Sequence, residues 1–391
     1  MARFPRASDT TSSLSSGVFS ALAERARSHA GPVYPLHVGD TWREPWLGAR
    51  ASEQRGALIH TYAPVQGEPA LLDAARRRIA ARAGRELDPE AMCVMSGATS
   101  GLSVIVQALL DPGDEVLLPA PFWPLIRGII ASRGAAPVQV PLWDRLGDPG
   151  FDLEAALERA VTPRTAAIYV NSPNNPTGAI LSDDQAAALT RVAARHDLWI
   201  LADEVYEELY YGAAPPPSFW ARDDAFERAV VCHSMSKAYG LAGARVGYAH
   251  GPRAIMRAVR AVETFQVYCA PRPMQLGAAR ALDGADAWLA ETRALYNDAA
   301  ALTARAFGVP APPAGTFLFV DASPWLAPDA PDALPFLYRC LDEAGVLFTP
   351  GSSSGDAYGR WIRACFTSVA PDVLARALAA LAPVLADRVA R

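Results

Sequence analysis

Lysine is nearly missing from this sequence: of its 36 basic residues a single one, Lys237, is lysine and the rest are arginine. The Ala/Arg/Pro-rich composition reads as a bias that replaces lysine by arginine wherever charge alone matters. The surviving lysine then marks a place where arginine cannot serve. A guanidinium stays protonated, whereas a lysine amine can lose its proton and condense with an aldehyde. Cysteine is sparse as well. Cys93, Cys232, Cys269, Cys340 and Cys365 lie far apart with no CxxC pair, which argues against a disulfide framework and suits buried thiols in a reducing compartment. There is no 18-residue apolar run and no signal-peptide core, so the cytoplasm is the default location and no membrane partner is expected. An excess of positive charge is missing too. The net charge of −5 gives no electrostatic case for nucleic acid or a membrane surface. The first sixteen residues are Ser/Thr-rich with Arg3 and Arg6, and read as a disordered N-terminal arm rather than a transit peptide.

What is there describes a soluble, globular chain. Hydrophobic residues make up 51% and charged residues 20%, outside the disordered range. A length of 391 residues exceeds one ordinary core, so two domains, or one large domain with a satellite, are expected. No internal repeat at 20–50 residues is present.

Periodicity alternates along the chain. Helices are predicted over Leu71–Arg82, Gly97–Leu110, Pro124–Arg133, Leu153–Ala160 with Asp152 as cap, and Ser182–Arg195 with Ser182 as cap. Strands are predicted over Met92–Met95, Glu115–Pro119, Val138–Leu142, Ala166–Val170, Trp199–Ala202 and Val230–His233. This alternation implies an α/β fold, a large domain whose mostly parallel sheet is covered by helices on both faces. After about Ala285 the pattern changes. A long helix Ala285–Ala306 precedes a strand Phe317–Asp321, a helix Leu334–Ala344, strands near Val346–Phe348 and at Trp361–Phe366, and a terminal helix Val373–Arg388. That reads as a smaller α+β domain. The expected division is residues 46–284 for the large domain, with 1–45 and 285–391 forming an N-terminal arm and the small domain.

Candidate chemistry sits at strand ends, where an open α/β sheet binds ligands. Ser234-Met235-Ser236-Lys237 follows the strand Val230–His233 directly. Eight residues on, Arg245 stands in the small-residue run Gly240–Gly247, where backbone can approach a ligand and a guanidinium can clamp a phosphate. Asp203 and Tyr206 follow the strand Trp199–Ala202, and Asn171–Gly178 follows the strand Ala166–Val170. Ser96-Gly97-Ala98-Thr99 opens a helix, whose free N–H groups, hydroxyl and dipole suit an anion. Each piece alone is a common turn or cap. Together, in this order and around the only lysine, chance explains them poorly.

On these residues the chain resembles the class I/II aminotransferases of the fold-type I family, enzymes that use pyridoxal 5′-phosphate (PLP). The resemblance runs over essentially the whole length. It is carried by Asn174–Gly178, Ala202–Tyr206, Ser234–Lys237 with Arg245, and Arg363 within Trp361–Phe366. It implies a Schiff base on Lys237, which then moves a proton between substrate and cofactor, and a chemical set of Lys237, Asp203 and Tyr206. Asp203 is expected to pair with the ring nitrogen, Asn175 and Tyr206 to hydrogen-bond the phenolic oxygen, and Trp123 to stack on the ring. Ala98, Thr99, Ser234 and Arg245 are expected around the phosphate. Arg363 is expected to grip the substrate carboxylate, with the backbone of Gly39 close by. Tyr62 matches a tyrosine that reaches the neighbouring subunit's phosphate, which implies a homodimer. No metal is expected.

The resemblance implies an aminotransferase that passes an amino group from an amino acid to a 2-oxo acid by a ping-pong mechanism. The alternative is a PLP-dependent lyase or amino-acid cyclase built on the same residues. A PLP-sensing transcription regulator would need an additional helix-turn-helix domain, and here the motifs begin near Gly39 and the charge is acidic. Two features depart from the family. Trp42 and Trp46 follow Gly39 near the expected substrate entrance, and Arg272 does not align with a second substrate-reading arginine. Both favour an apolar, aromatic or bulky amino acid over a dicarboxylate.

Overall fold

The computed structural model describes residues 20–389, so the Ser/Thr-rich opening segment lies outside the described residues. Helix α1 (Ser20–Ser28) leads through a loop-rich stretch to α2 (Pro69–Ala83), β1 (Met92–Met95), α3 (Ala98–Leu109), β2 (Glu115–Ala120), α4 (Pro124–Ser132) and β3 (Ala136–Pro141). Then come α5 (Leu153–Glu158), β4 (Thr165–Asn171), α6 (Asp183–Arg195), β5 (Trp199–Asp203), β6 (Ala229–Ser234) and β7 (Gly247–His250). The chain continues through α7 (Arg253–Gln266), α8 (Arg272–Gly284), α9 (Asp286–Phe307), β8 (Phe317–Asp321), α10 (Leu334–Ala344), β9 (Thr349–Pro350), β10 (Trp361–Cys365) and α11 (Pro371–Ala386). Local chemistry sets the helix starts. Asp152 accepts from the N–H of Ala155 at 2.9 Å, and Ser182 forms a reciprocal capping box with Gln185.

The seven-stranded sheet has the order β1-β7-β6-β5-β4-β2-β3. Strands β3, β2, β4, β5 and β6 are mutually parallel, and β7 runs against both β6 and β1. Side-chain alternation divides the core between the two faces. Leu117, Ile168, Val170, Ile200, Ala202 and Val231 pack on one face with α2 and α6. Val116, Leu118, Ala167, Tyr169, Leu201 and Cys232 pack on the other with α3 and α7. A strand buried on both faces reads as a continuous apolar run, which is why these segments were legible as parallel strands.

The second sheet, β8-β10-β9, is antiparallel and has its own core with α10, α11, Leu22 and Leu36. The long helix α9 serves both cores. Leu289 and Tyr296 pack with the first, and Ala300, Ala304 and Phe307 with the second. One expectation needs correction. No strand covers 346–348: Val346 makes an isolated bridge to Tyr34, and pairing with β10 begins at Thr349. The N–H of Leu347 donates to Tyr34 instead, so this segment joins the N-terminal loop before it reaches the sheet. Among the described residues no helix is long and apolar enough to cross a membrane.

Candidate active site

The parallel register brings three strand ends side by side. Asn171 ends β4 opposite Asp203, which ends β5, and Ser234 ends β6. Because β7 runs the other way, it begins at this edge, with Gly247 opposite Ser234. Arg245, two residues earlier, therefore lies at the same edge. The first turn of α3 comes in from β1 beside it. The resulting cleft is lined by Ala98, Thr99, Trp123, Asn175, Asp203, Tyr206, Ser234, Lys237 and Arg245, all expected from the sequence. Leu102, Asn171, Val205, Ser236 and Ala242 line it too, and sequence reasoning did not single out their side chains.

The anion end depends on a glycine. Gly97 has φ +81°, and a Cβ there would lie 2.3 Å from the Arg245 guanidinium. The positive φ favours glycine, whose missing side chain leaves Arg245 room beside the turn. The first N–H groups of α3 have no intrahelical acceptor, and Arg245 donates to Ala242 O at 2.8 Å without a carboxylate partner among the described residues. Ser234 Oγ accepts from the N–H of Ser236 at 3.0 Å, which fixes the turn leading to Lys237.

Asp203 lies at the buried end, 2% exposed. Tyr169, two residues before the end of β4, donates its hydroxyl to Asp203 Oδ2 at 2.6 Å. Asn171, on the same face of β4, donates to the Asp203 carbonyl at 2.8 Å. The other carboxylate oxygen receives only a long contact from the N–H of Val205, at 3.4 Å. No cation pairs with it among the described residues. Burial raises its pKa to about 6, although the hydrogen bonds from Tyr169 and Val205 oppose the rise. The Asn-Pro-Thr-Gly turn braces itself, with Asn174 Oδ1 accepting from both the N–H and the hydroxyl of Thr177. It presents Asn175, whose Nδ2 lies 3.4 Å from the Tyr206 hydroxyl.

Lys237 is half-buried and donates to the Gly39 carbonyl at 2.5 Å. Burial lowers its pKa, and the charges of Arg363 and Arg245 add to the fall against Cys365 and Asp40. Gly39 is confined because a Cβ there would meet the ring of Phe317 at 2.8 Å. The same ring lies 4.2 Å beneath the guanidinium of Arg363. Arg363, 5% exposed, comes from β10 of the second sheet and donates to Asn175 Oδ1 at 3.0 Å, and to His37 O and Thr349 Oγ1 at 3.3 Å each. It has no carboxylate partner among the described residues, and burial lowers its pKa.

Tyr62 does not line this chain's own cleft. It is 79% exposed and packs edge-on against Tyr268 at 4.9 Å. Arg272 fastens the Tyr62 loop: it pairs with Glu68 at 2.6 Å and donates to Thr61 Oγ1 and the Leu58 carbonyl. Trp46 is packing material, its ring against Gly48 and Gly284 and the first core. Trp42 keeps an exposed ring.

The sequence model of the family described as aminotransferase class I and II matches residues 42–381. A protein of Mycobacterium tuberculosis H37Rv named probable N-succinyldiaminopimelate aminotransferase is 35% identical, over 86% of this chain and 85% of its own. The arginine–pyruvate transaminase of Pseudomonas aeruginosa is 32% identical, over 77% of each chain. The solved structure of N-succinyldiaminopimelate aminotransferase from M. tuberculosis superimposes with a TM-score of 0.87 at 30% identity, covering 97% of this chain and all of that one.

Proposed function

This chain belongs to the class I and II aminotransferases, a family of PLP-dependent enzymes, and on that premise we propose that it moves the amino group of an amino acid to a 2-oxo acid through Lys237. The observation that carries the reading is a pair of buried charges without ion-pair partners, Asp203 in the lining of the cleft and Arg363 bonded to Asn175 of that lining. Asp203 has no cation and Arg363 has no anion among the described residues. Buried charges are costly unless paired, and a protonated ring nitrogen and a substrate carboxylate are the partners each lacks.

The residues present fit PLP. The Gly97 turn, Ala98, Thr99, Ser234 and Arg245 would hold its phosphate, Asn175 and Tyr206 its phenolic oxygen, and Asp203 its ring nitrogen. Trp123 would cover its ring. When bound, PLP supplies an aldehyde that takes up the amino group and a ring that draws electrons from the substrate Cα. Lys237 would supply the amine that holds the cofactor covalently, and its lowered pKa favours the neutral amine needed for that. The same amine, when free, would carry a proton to and from the substrate Cα. Arg363 orients the substrate by its carboxylate. Donor and acceptor would use one site in turn, which is a ping-pong order.

The division into a large domain over 46–284 and a small domain over 285–391 with the 1–45 arm is supported by the two cores that share α9. The exposed apolar side chains Leu58, Tyr62, Phe265, Val267 and Tyr268 support a homodimer in which Tyr62 completes the partner's phosphate site. The scattered free thiols support a cytoplasmic location. For the substrate side chain, Arg272 is committed to Glu68 and the Tyr62 loop, which supports an apolar or aromatic amino acid. A stopped-flow screen of amino acids, following cofactor absorbance and identifying products, tests the reading. A 2-oxo acid formed without release of ammonia or thiol is expected, the nitrogen passing to an added 2-oxo acid; ammonia or a thiol released alongside the 2-oxo acid, or a ring product, would overturn it in favour of a lyase or cyclase.

A further inference from the structure

The strand ends that shape the cleft carry a second polar cluster on the opposite face of the sheet. Asp203 and Ser234 continue the face of Leu201 and Cys232, whereas Glu204 and His233 continue the face of Ala202 and Val231 beneath α2. There His233 Nδ1 meets the Glu207 carboxylate at 2.6 Å and His233 Nε2 meets His250 Nε2 at 3.0 Å. Arg82 of α2 pairs with Glu207 at 2.8 Å. Glu204 accepts from the Ser218 hydroxyl and the Phe219 N–H. Glu204, Glu207 and His233 lie close enough to ligate a metal ion. Arg82 already supplies the positive charge that Glu207 requires, so the cluster is an ion-pair network.

Two imidazole nitrogens 3.0 Å apart need one proton between them. Glu207 decides which ring carries it. Burial would lower the His233 pKa, but Glu207 outweighs burial and raises it. His250 is pushed well below its ordinary value by burial and by His233. These directions favour His233 donating from both nitrogens, to Glu207 and to a neutral His250. The other groups facing this ring are Glu204, Arg82, Arg78 and Tyr248. Glu204 is pushed toward its neutral form by burial, and Arg78 is held by Glu208 and Asp286.

We propose that His233 is a positioning residue for the reaction: held as an imidazolium between Glu207 and His250, it sets a fixed positive charge behind Asp203 and keeps that carboxylate ionised for the cofactor's ring nitrogen. The proposal rests on the assignment of Asp203 made above. The two residues are neighbours across the β5–β6 ladder, where Asp203 pairs with Cys232, the residue before His233. Asp203 has no ion-pair partner on its own face among the described residues. Against the dominant effect of burial, the His233 charge pulls the Asp203 pKa down.

The test titrates the full-length enzyme, loaded with PLP and stripped of it. Ring nitrogen NMR, with His233 assigned through His233→Gln, should show the ring titrating above the ordinary histidine range in both forms. In the stripped enzyme the Asp203 carboxyl infrared band should move up by on the order of half a pH unit or more in His233→Gln. Linkage requires the reverse as well: Asp203→Asn should lower the His233 titration by the same interval, which keeps the proposal testable if His233→Gln does not fold. In the loaded His233→Gln enzyme the acid limb of the pH–rate profile should move up, where a merely structural loss would lower the rate at every pH alike. A neutral His233 ring at pH 7, or titrations that ignore each other's removal, would overturn the proposal. The stripped-enzyme titrations do not depend on what Asp203 binds. That assignment fails separately if Asp203→Ala keeps near-normal turnover.

Discussion

Replacing Arg363 by methionine separates what the guanidinium does for the fold from what it does for the substrate. Its three hydrogen-bond acceptors are neutral, and two of the contacts are long, at 3.3 Å. Each bond from a charged donor contributes about 1.5–3 kcal/mol at good geometry, so the loss here falls near the low end. Against it stands the cost of a buried cation without a counter-ion, several kcal/mol. Methionine removes that cost and keeps an apolar contact on the Phe317 ring. The two effects nearly cancel, so stability measured by urea unfolding should stay within about 2 kcal/mol of the wild type. Activity has no such compensation. Two charge-assisted bonds to the substrate carboxylate disappear, about 3–6 kcal/mol together, so kcat/KM should fall roughly 10²–10⁴-fold. The control substrate is the corresponding amine without its carboxylate, which should react equally slowly with both enzymes. A kcat/KM within about tenfold of the wild type, or an equal loss on the amine, would refute the carboxylate assignment. A stability loss above about 4 kcal/mol would show that the neutral partners satisfy the guanidinium by themselves.

Asp203 offers a thermodynamic test without substrate. Its folded pKa of about 6 exceeds its ordinary 3.8, so the folded chain holds a proton that the unfolded chain has released. Stability of the PLP-free protein should then fall as pH rises from about 4 to 6, by roughly 3 kcal/mol from this group. Asp203→Asn should flatten that part of the curve in urea titrations, and an unchanged slope would show that the carboxyl is not held up. With PLP, Asp203→Ala should bind the cofactor yet lose at least the roughly 10-fold or more expected of a missing ionic hydrogen bond; near-normal turnover would refute its role. For Tyr62, mixing Tyr62→Phe with Lys237→Ala under subunit exchange should restore up to about a quarter of wild-type sites. Replacing the first partner by the double variant Tyr62→Phe/Arg363→Ala should restore none. No recovery in the first mixture, with exchange verified and a clear defect in Tyr62→Phe alone, would end the trans assignment.

Much of this was legible because the buried strands leave plain signals. Strands β1 and β8 and helix α10 match the expected residues throughout, since the strands are short apolar runs and α10 carries an apolar stripe through Phe336, Leu337, Cys340 and Leu341 that stops at Gly345. The missed elements have physical reasons. Strand β7 is four residues, Gly247-Tyr-Ala-His, with a polar ring and two small residues in place of an apolar alternation. Helix α7 buries Met256, Val259 and Glu263 along one face, and the buried acid interrupts the apolar stripe. The cleft residues were found because their types are rare together at strand ends. Tyr169 was missed because a tyrosine within an apolar strand reads as core, and its ring is core; only the hydroxyl reaches Asp203. Its signal was the two-residue spacing to Asn171 on the strand next to Asp203. The cluster of Glu204, Glu207, His233 and His250 was missed because charged residues beside a site read as solvated, whereas here they lie beneath α2. Alternation from Asp203 to Glu204 and from Ser234 back to His233 would have placed both on the far face.

The central claim is that chemistry passes through the one lysine, and borohydride reduction of the PLP-loaded enzyme followed by peptide mapping tests it most directly. The pyridoxyl group should be fixed on Lys237, the only lysine side chain in the sequence, and Lys237→Ala should fold but carry no reducible label. A label on any other residue, or no label on a folded enzyme that turns over amino acids, would contradict the account.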